Sequence, residues 1–235
     1  MAPSNSKDVC EICVLHRLPA FRGLAKETWS KFKKLRTTRF YSRGNILFYD
    51  GNQPLGMYFL CRGRVKIVKS NFGHRFHIVR VSEAPDLLGD RALIAGEPYK
   101  GSGEVMEESR VCFLKAEHFE SLFLDDPGVC RELARRFARE MGQAEEKARD
   151  LALKTIRARL AKHILERFAA QAALKRGTVA LCLDESRLEL AEFLGTSPEA
   201  VCRSLAEFRA KRMIATKGRS VRILDEERLR QVAEL

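Results

Sequence analysis

Residues 186–210 read SRLELAEFLGTSPEAVCRSLAEFRA, and three side chains in the second half of that run could do chemistry together. Glu199, Cys202 and Arg203 stand at i, i+3 and i+4, which is one face of a helix close to its N-terminus. Arginine can donate a planar fork to guanine O6 and N7, and glutamate can accept from cytosine N4, so this face can read base pairs. The same two charges could equally form a surface ion pair worth roughly a few tenths of a kcal/mol. Further on, Lys217-Gly218-Arg219 forms a basic turn. Lys217 and Arg219, with Arg209 and Lys211 beside them, suit phosphate contacts that position a protein on DNA without reading its sequence. A solvated basic turn is the plainer alternative.

A second chemistry belongs to cysteine. Cys10-Glu11-Ile12-Cys13 places two thiols two residues apart in a segment without helical or strand periodicity, where both can point at one metal ion. Cys112 lies between Val111 and Phe113, where a thiol can simply serve as a small hydrophobe. Cys130, Cys182 and Cys202 read as packing or surface residues. A third possibility is an anion pocket: Arg91 and Lys100, near Gly101 and Gly103, could hold an acidic small molecule. His74, His77 and His118 are read as surface or core residues, not haem ligands.

Stepping outward, each group needs an element to position it. Leu188, Ala191 and Leu194 line a short helix, and Gly195 can take the left-handed conformation that ends it. Ser197 then caps a new helix with Pro198 at its first position, and Val201, Leu205 and Phe208 face inward. Two helices joined by such a turn make a helix-turn-helix. Short apolar strands flank the basic turn within 214–224 and form a wing. Upstream, from Thr38 to about Leu114, brief apolar runs alternate with Gly51, Gly63, Gly73, Gly101 and Gly103, the pattern of an antiparallel roll. A helix from Ala25 to about Leu35, with Trp29, Phe32 and Leu35 on one face, precedes the roll. Another from about Thr155 to Ala170 and a β-like stretch at Thr178–Leu183 precede the helix-turn-helix.

Between roll and helix-turn-helix, Val129, Leu133, Phe137, Met141, Ala144, Ala148 and Leu151 recur at steps of three and four. One narrow apolar stripe on a long charged helix is what a two-helix seam requires, although packing on the helix's own domain would also use it. The expected segments are an N-terminal cysteine-containing segment (1–24), a roll (25–126), a dimerisation helix (127–153) and a winged helix-turn-helix (154–235).

Bulk properties agree with a nucleic-acid partner. Net charge is +12, and residues 151–235 carry 17 Lys/Arg against 11 Asp/Glu, an excess that favours a polyanion. No run of about 18 apolar residues is present and the first residues lack a secretory pattern, so no membrane role and a cytoplasmic location are expected, with thiols reduced. Neither a Ser/His/Asp set, a phosphate-cradling G-x-x-x-x-G-K loop nor a carboxylate pair in a glycine-rich cleft is present, so no enzyme is expected.

The order of roll, long helix and LAEFLGTSPEAVCRSLAEFRAKRMI resembles the catabolite activator/fumarate-nitrate-reduction regulator superfamily over nearly the whole chain. GNILFYDGNQPLGMYFLCRGRVKIV is similar to its roll signature, and DLLGD to the start of its ligand cassette. The resemblance implies an α+β fold: a cyclic-nucleotide-binding-type β-roll, a long dimerisation helix and a C-terminal winged helix-turn-helix. It also implies a homodimer that binds double-stranded DNA at a two-fold-symmetric operator and contacts RNA polymerase, with Ser197, Glu199, Cys202 and Arg203 at the DNA. Asp90 stands where the cyclic-AMP branch has glutamate, and Lys100-Gly101 where it has Arg-Ser. Lysine lacks the bidentate fork that suits a cyclic phosphate, so cyclic AMP is not expected. The iron–sulfur branch is a better match: Cys10 and Cys13 correspond to an N-terminal pair and Cys112 to a distant ligand of a 4Fe-4S cluster. Pro19 replaces the branch's remaining cysteine, which leaves Cys61 or a group such as His16 as fourth ligand. A zinc ion, a thiol redox switch, or another small molecule near Asp90, Arg91 and Lys100 are the alternative signals.

Overall fold

Glycine turns and alternating apolar residues fold 37–115 into eight antiparallel strands in a computed structural model that describes residues 14–70, 76–174, 181–182, 185–218 and 220–234. The strands are β1 (Thr37–Tyr41), β2 (Ile46–Phe48), β3 (Gly56–Arg62), β4 (Arg64–Ser70), β5 (Phe76–Glu83), β6 (Asp86–Leu88), β7 (Ser102–Val105) and β8 (Ser109–Lys115). They form two four-stranded sheets, ordered β1-β8-β3-β6 and β2-β7-β4-β5. Gly63 turns β3 into β4 at φ +92°, and a Cβ there would stand 2.1 Å from Ser109 Oγ, so no other residue fits.

Period-two alternation divides β3 and β8 between two cores. Leu60 and Val111 join Phe48, Val65 and Tyr99 in one. Phe59, Cys61 and Cys112 join Phe32, Phe119 and Phe123 in the other. The second core is also reached by Leu15, Leu18 and Phe21, from 3-10 turns at Val14–Arg17 and Pro19–Phe21. Phe32 is contributed by α1 (Lys26–Leu35). Trp29 packs there too, but Leu35, expected on the same face, is exposed. Six residues rotate it about 240° around the helix from Trp29.

After α2 (Asp90–Ala95) and β8 come α3 (Ala116–Phe119), a π-helical turn at Glu120–Leu124, and the long α4 (Pro127–Leu153). The chain divides into two compact units, Met1–Arg139 and Glu140–Leu235. The apolar stripe of α4 divides by burial in the single chain. Val129 and Leu133 are buried in the chain's own second core, with Phe137 partly buried against it. The aromatic cluster Phe32–Phe59–Phe119–Phe123 offers them a complete apolar wall. Met141, Ala144, Ala148 and Leu151 are exposed.

The second unit contains α5 (Ile156–Leu174), β9 (Leu181–Cys182), α6 (Arg187–Leu194), α7 (Pro198–Ala210), β10 (Ile214–Lys217), β11 (Ser220–Ile223) and α8 (Glu226–Ala233). Its core joins Leu160, Ile164, Leu190, Leu194, Val201, Leu205, Phe208, Ile214, Val221 and Leu229. Strands β10 and β11 pair antiparallel, and β9 adds a third strand beside β11. Of the expected β-like stretch, residues 178–180 and 183 lie outside the described residues. No helix among the described residues is long and apolar enough to cross a membrane.

Candidate nucleic-acid interface and sensor thiols

Ser186 opens α6 with a complete capping box: its side chain accepts from the Glu189 N–H while Glu189 accepts from the Ser186 N–H at 2.8 Å. Gly195 ends the helix in the left-handed region at φ 65°. Ser197 then caps α7, its Oγ accepting from the Ala200 N–H at 3.3 Å, so its hydroxyl is engaged in starting the helix. Val201, Leu205 and Phe208 are buried beneath α7. Glu199, Cys202 and Arg203 are left exposed on its opposite side, where the sequence pattern put them. Hydrogen bonding from Ser197 and from its own backbone N–H, with Arg203 nearby, lowers the Glu199 carboxyl below the usual range, so it is an anionic acceptor.

Lys217 is exposed beside Gly218 at the wing tip, and Arg187 at the start of α6 donates to the Gly218 carbonyl at 3.3 Å. That bond ties the wing to the helix pair. Arg219 lies outside the described residues. Arg209 is exposed, whereas Lys211 is held by Glu207, which also accepts from Arg157 of α5, both at 2.8 Å.

In the roll, Cys61 and Cys112 come together. Their sulfurs are 3.4 Å apart in the second core, and both residues are buried. The register pairs Phe59 with Cys112, and Cys61, two residues further along β3, shares the Phe59 face and so lies on the Cys112 side. Strand β1 places Thr38 opposite Cys112, with Thr38 Oγ1 at 3.3 Å and Arg36 donating at 3.2 Å to the same sulfur. The Cys61 hydrogen bond, followed by those of Thr38 and Arg36, outweighs burial and lowers the Cys112 thiol to about 6. These contacts favour the thiolate form of Cys112 over the thiol.

This geometry bears on an iron–sulfur cluster. A thiolate flanked by a guanidinium suits Cys112 as one ligand. Cys61, expected as a possible fourth ligand, faces Cys112 directly, with the two sulfurs in contact. Cys10 and Cys13 lie outside the described residues, but Val14, next in sequence, packs against the core that contains Cys112. Among the described residues no group of three or more His, Cys, Asp or Glu converges as a metal site.

Of the residues expected at an anion pocket, Arg91 and Lys100 meet at Glu97 Oε2, at 3.2 and 2.7 Å, while Asp90 is turned away from them. Asp90 is buried and accepts from Arg136 Nε of α4 at 2.9 Å, whereas Arg91 and Lys100 are exposed and both pair with Glu97. Beside them Tyr99 is buried and stacked on Phe48, with ring centroids 4.1 Å apart.

Arg36, Thr38 and Arg136 were not legible as site residues. Their roles depend on strand register and on which face of α4 meets the roll, and no local pattern encodes either.

Known proteins extend the picture. Residues 38–126 match the cyclic nucleotide-binding domain family and residues 158–232 the Crp-like helix-turn-helix domain family. The chain is 26% identical over 219 residues to the CRP-like cAMP-activated global transcriptional regulator of Mycobacterium tuberculosis, covering 92% of this chain and 96% of that one. It is 26% identical over 218 residues to the transcriptional activator protein anr of Pseudomonas aeruginosa, covering 92% and 88%. The structure of FixK2 from Bradyrhizobium japonicum superposes with a TM-score of 0.72 at 22% identity, covering 84% of this chain and 96% of that one; this likeness concerns the fold.

Proposed function

This chain belongs to the CRP/FNR family of DNA-binding transcription regulators, and from that premise we propose that it reads a two-fold-symmetric operator as a homodimer whose DNA binding is gated by redox chemistry in the roll. The observation that carries the DNA reading is the exposed Glu199–Arg203 face at the capped N-terminal half of α7, backed by a buried Val201–Leu205–Phe208 stripe. Arg203 supplies a bidentate donor for guanine and Glu199 an acceptor for cytosine. Lys217 meets phosphate and sets register. In the dimer the two recognition helices stand one DNA turn apart, about 34 Å, held by the exposed stripe Met141–Ala144–Ala148–Leu151. The DNA-bound dimer contacts RNA polymerase.

The proposed gate is a 4Fe-4S cluster held by Cys10, Cys13 and Cys112. Support comes from the thiolate character of Cys112 and from the docking of Val14 on the same core. When bound, such a cluster supplies a centre that dioxygen or nitric oxide can degrade. Within the chain, Arg36 and Thr38 orient the Cys112 sulfur, and the surrounding core excludes water from it. Anaerobic purification with iron and sulfide analysis tests this, with operator binding measured before and after air. A protein rich in iron and sulfide that loses operator binding in air is expected; a colourless, iron-free protein that binds equally in both conditions overturns the cluster gate and leaves the DNA reading intact.

A further inference from the structure

We propose that Cys61 and Cys112 are themselves an oxidisable dithiol, closing to a reversible disulfide between β3 and β8 when the protein meets a peroxide. Both sulfurs lie inside the roll. Cys112 is also a ligand of the cluster proposed above, so the dithiol belongs to the cluster-free protein.

Four observations carry the proposal. At 3.4 Å the sulfurs are already in contact, and a disulfide of about 2.05 Å needs an approach of only roughly 1.3 Å. The two residues sit on adjacent antiparallel strands, and strand alternation directs both side chains into one core. Arg36 donates to Cys112 and the Thr38 hydroxyl also contacts it, which makes Cys112 the sulfur that attacks and Cys61 the one that resolves. Finally, the pair lies next to the edge of its sheet: Thr38 is exposed, Arg36 is half-buried, and β1 is the outer strand.

The chemistry balances with hydrogen peroxide as oxidant. The Cys112 sulfur attacks one peroxide oxygen and the O–O bond breaks. Cys112 becomes a sulfenic acid, and the departing hydroxide is protonated to water. The Cys61 sulfur then attacks the Cys112 sulfur, forming the S–S bond. The sulfenic hydroxyl leaves as a second water with the Cys61 proton. Two electrons pass from the two thiols to one peroxide, and a dithiol reductant reverses the result.

The consequence reaches beyond the pair. Cys61 and Cys112 share their core with Val129 and Leu133 of α4 and with Phe59. A close-packed interior cannot absorb an ångström of sulfur movement silently, so closing the bond shifts β3 against β8 and reseats the N-terminal turns of α4.

The test uses the full chain, stripped of metal with a chelator, reduced and then treated with hydrogen peroxide. Remaining thiols are alkylated in denaturant and the peptides mapped by mass spectrometry. A cross-linked peptide joining Cys61 to Cys112, lost on treatment with dithiothreitol, is expected. The double variant Cys10→Ser/Cys13→Ser, in which the cluster gate cannot operate, is expected to form the same cross-link. Cys61→Ser is expected to abolish it, leave Cys112 to progress to the sulfinic acid, and remove any peroxide response of operator binding. Cys112 joined to Cys10 or Cys13 in place of Cys61 overturns the proposal, as do two thiols unchanged after peroxide. Loss of iron from Cys61→Ser in an anaerobic preparation would count against the cluster assignment made above, not against this dithiol.

Discussion

Arg136 of α4 donates from Nε to the Oδ2 of Asp90 at 2.9 Å, joining the first helical residue of α2 to the helix that leaves the roll. Its Nη1 stands 2.7 Å from Asp86, which Arg80 also contacts at 2.7 Å, so two guanidinium groups and two carboxylates form one network. Burial raises Asp86, but Arg80 and Arg136 together hold it below the usual carboxylate range.

Removing Arg136 strands Asp90, which is 3% exposed, without its cation. Arg136→Ala should therefore destabilise the roll by about 3–5 kcal/mol, the cost of leaving a buried charge uncompensated. Asp90→Asn keeps a hydrogen-bond acceptor and should cost clearly less. Urea midpoints of the two variants decide this; equal losses would mean that the Asp90 charge carries the whole of Arg136's contribution and overturn the expected difference.

Base reading and phosphate contact separate by salt. Arg203→Ala should cost about 1–3 kcal/mol on the cognate operator and relax the base preference there. Lys217→Ala should weaken cognate and random DNA alike and lower the slope of log K against log salt by about one. Fluorescence anisotropy over a salt series measures both, and equal loss on both DNAs for Arg203→Ala would remove its assigned role.

The exposed half of the α4 stripe can be tested without touching the core. Met141 is 62% exposed and Leu151 37% exposed in the single chain. Met141→Asp with Leu151→Asp should leave the far-UV spectrum unchanged and shift the sedimentation coefficient from dimer to monomer. Val129→Asp, by contrast, should unfold the roll, since that residue is 2% exposed.

His163 makes the second unit acid-sensitive. Burial, then Arg167 and Lys147, pushes its imidazole down to about 4, and Nε2 has no hydrogen-bond partner among the described residues. Its ring lies 4.9 Å from that of Phe193. The unfolded chain protonates this histidine near pH 6.5 and the folded chain does not, so stability is complete above that pH and declines towards about 4. The full span is worth up to about 3 kcal/mol. His163→Phe should flatten this part of the urea-midpoint profile between pH 7 and 5; an unchanged slope would place the acid sensitivity elsewhere.

Local patterns settled much of this protein. Ser197-Pro198 starts α7 and Gly195 ends α6 because capping and left-handed backbone are properties of single residues and their immediate neighbours. The inward Val201–Leu205–Phe208 stripe and the outward Glu199–Arg203 face follow from helical period alone. The glycine-punctuated strands announced the roll for the same reason. Other relationships have no local signature. Cys61 and Cys112 are 51 residues apart, and they meet through the β3–β8 register. The stripe of α4 reads as continuous in sequence, yet the aromatic core of the roll claims Val129 and Leu133 and leaves Met141 onward uncovered. Asp90 stands in the ligand-cassette stretch of the sequence, and only the packing of α4 against α2 gives it Arg136 as a partner. Periodicity states which residues share a face; what that face meets is decided only when distant segments pack and each buried charge or thiol takes the nearest partner.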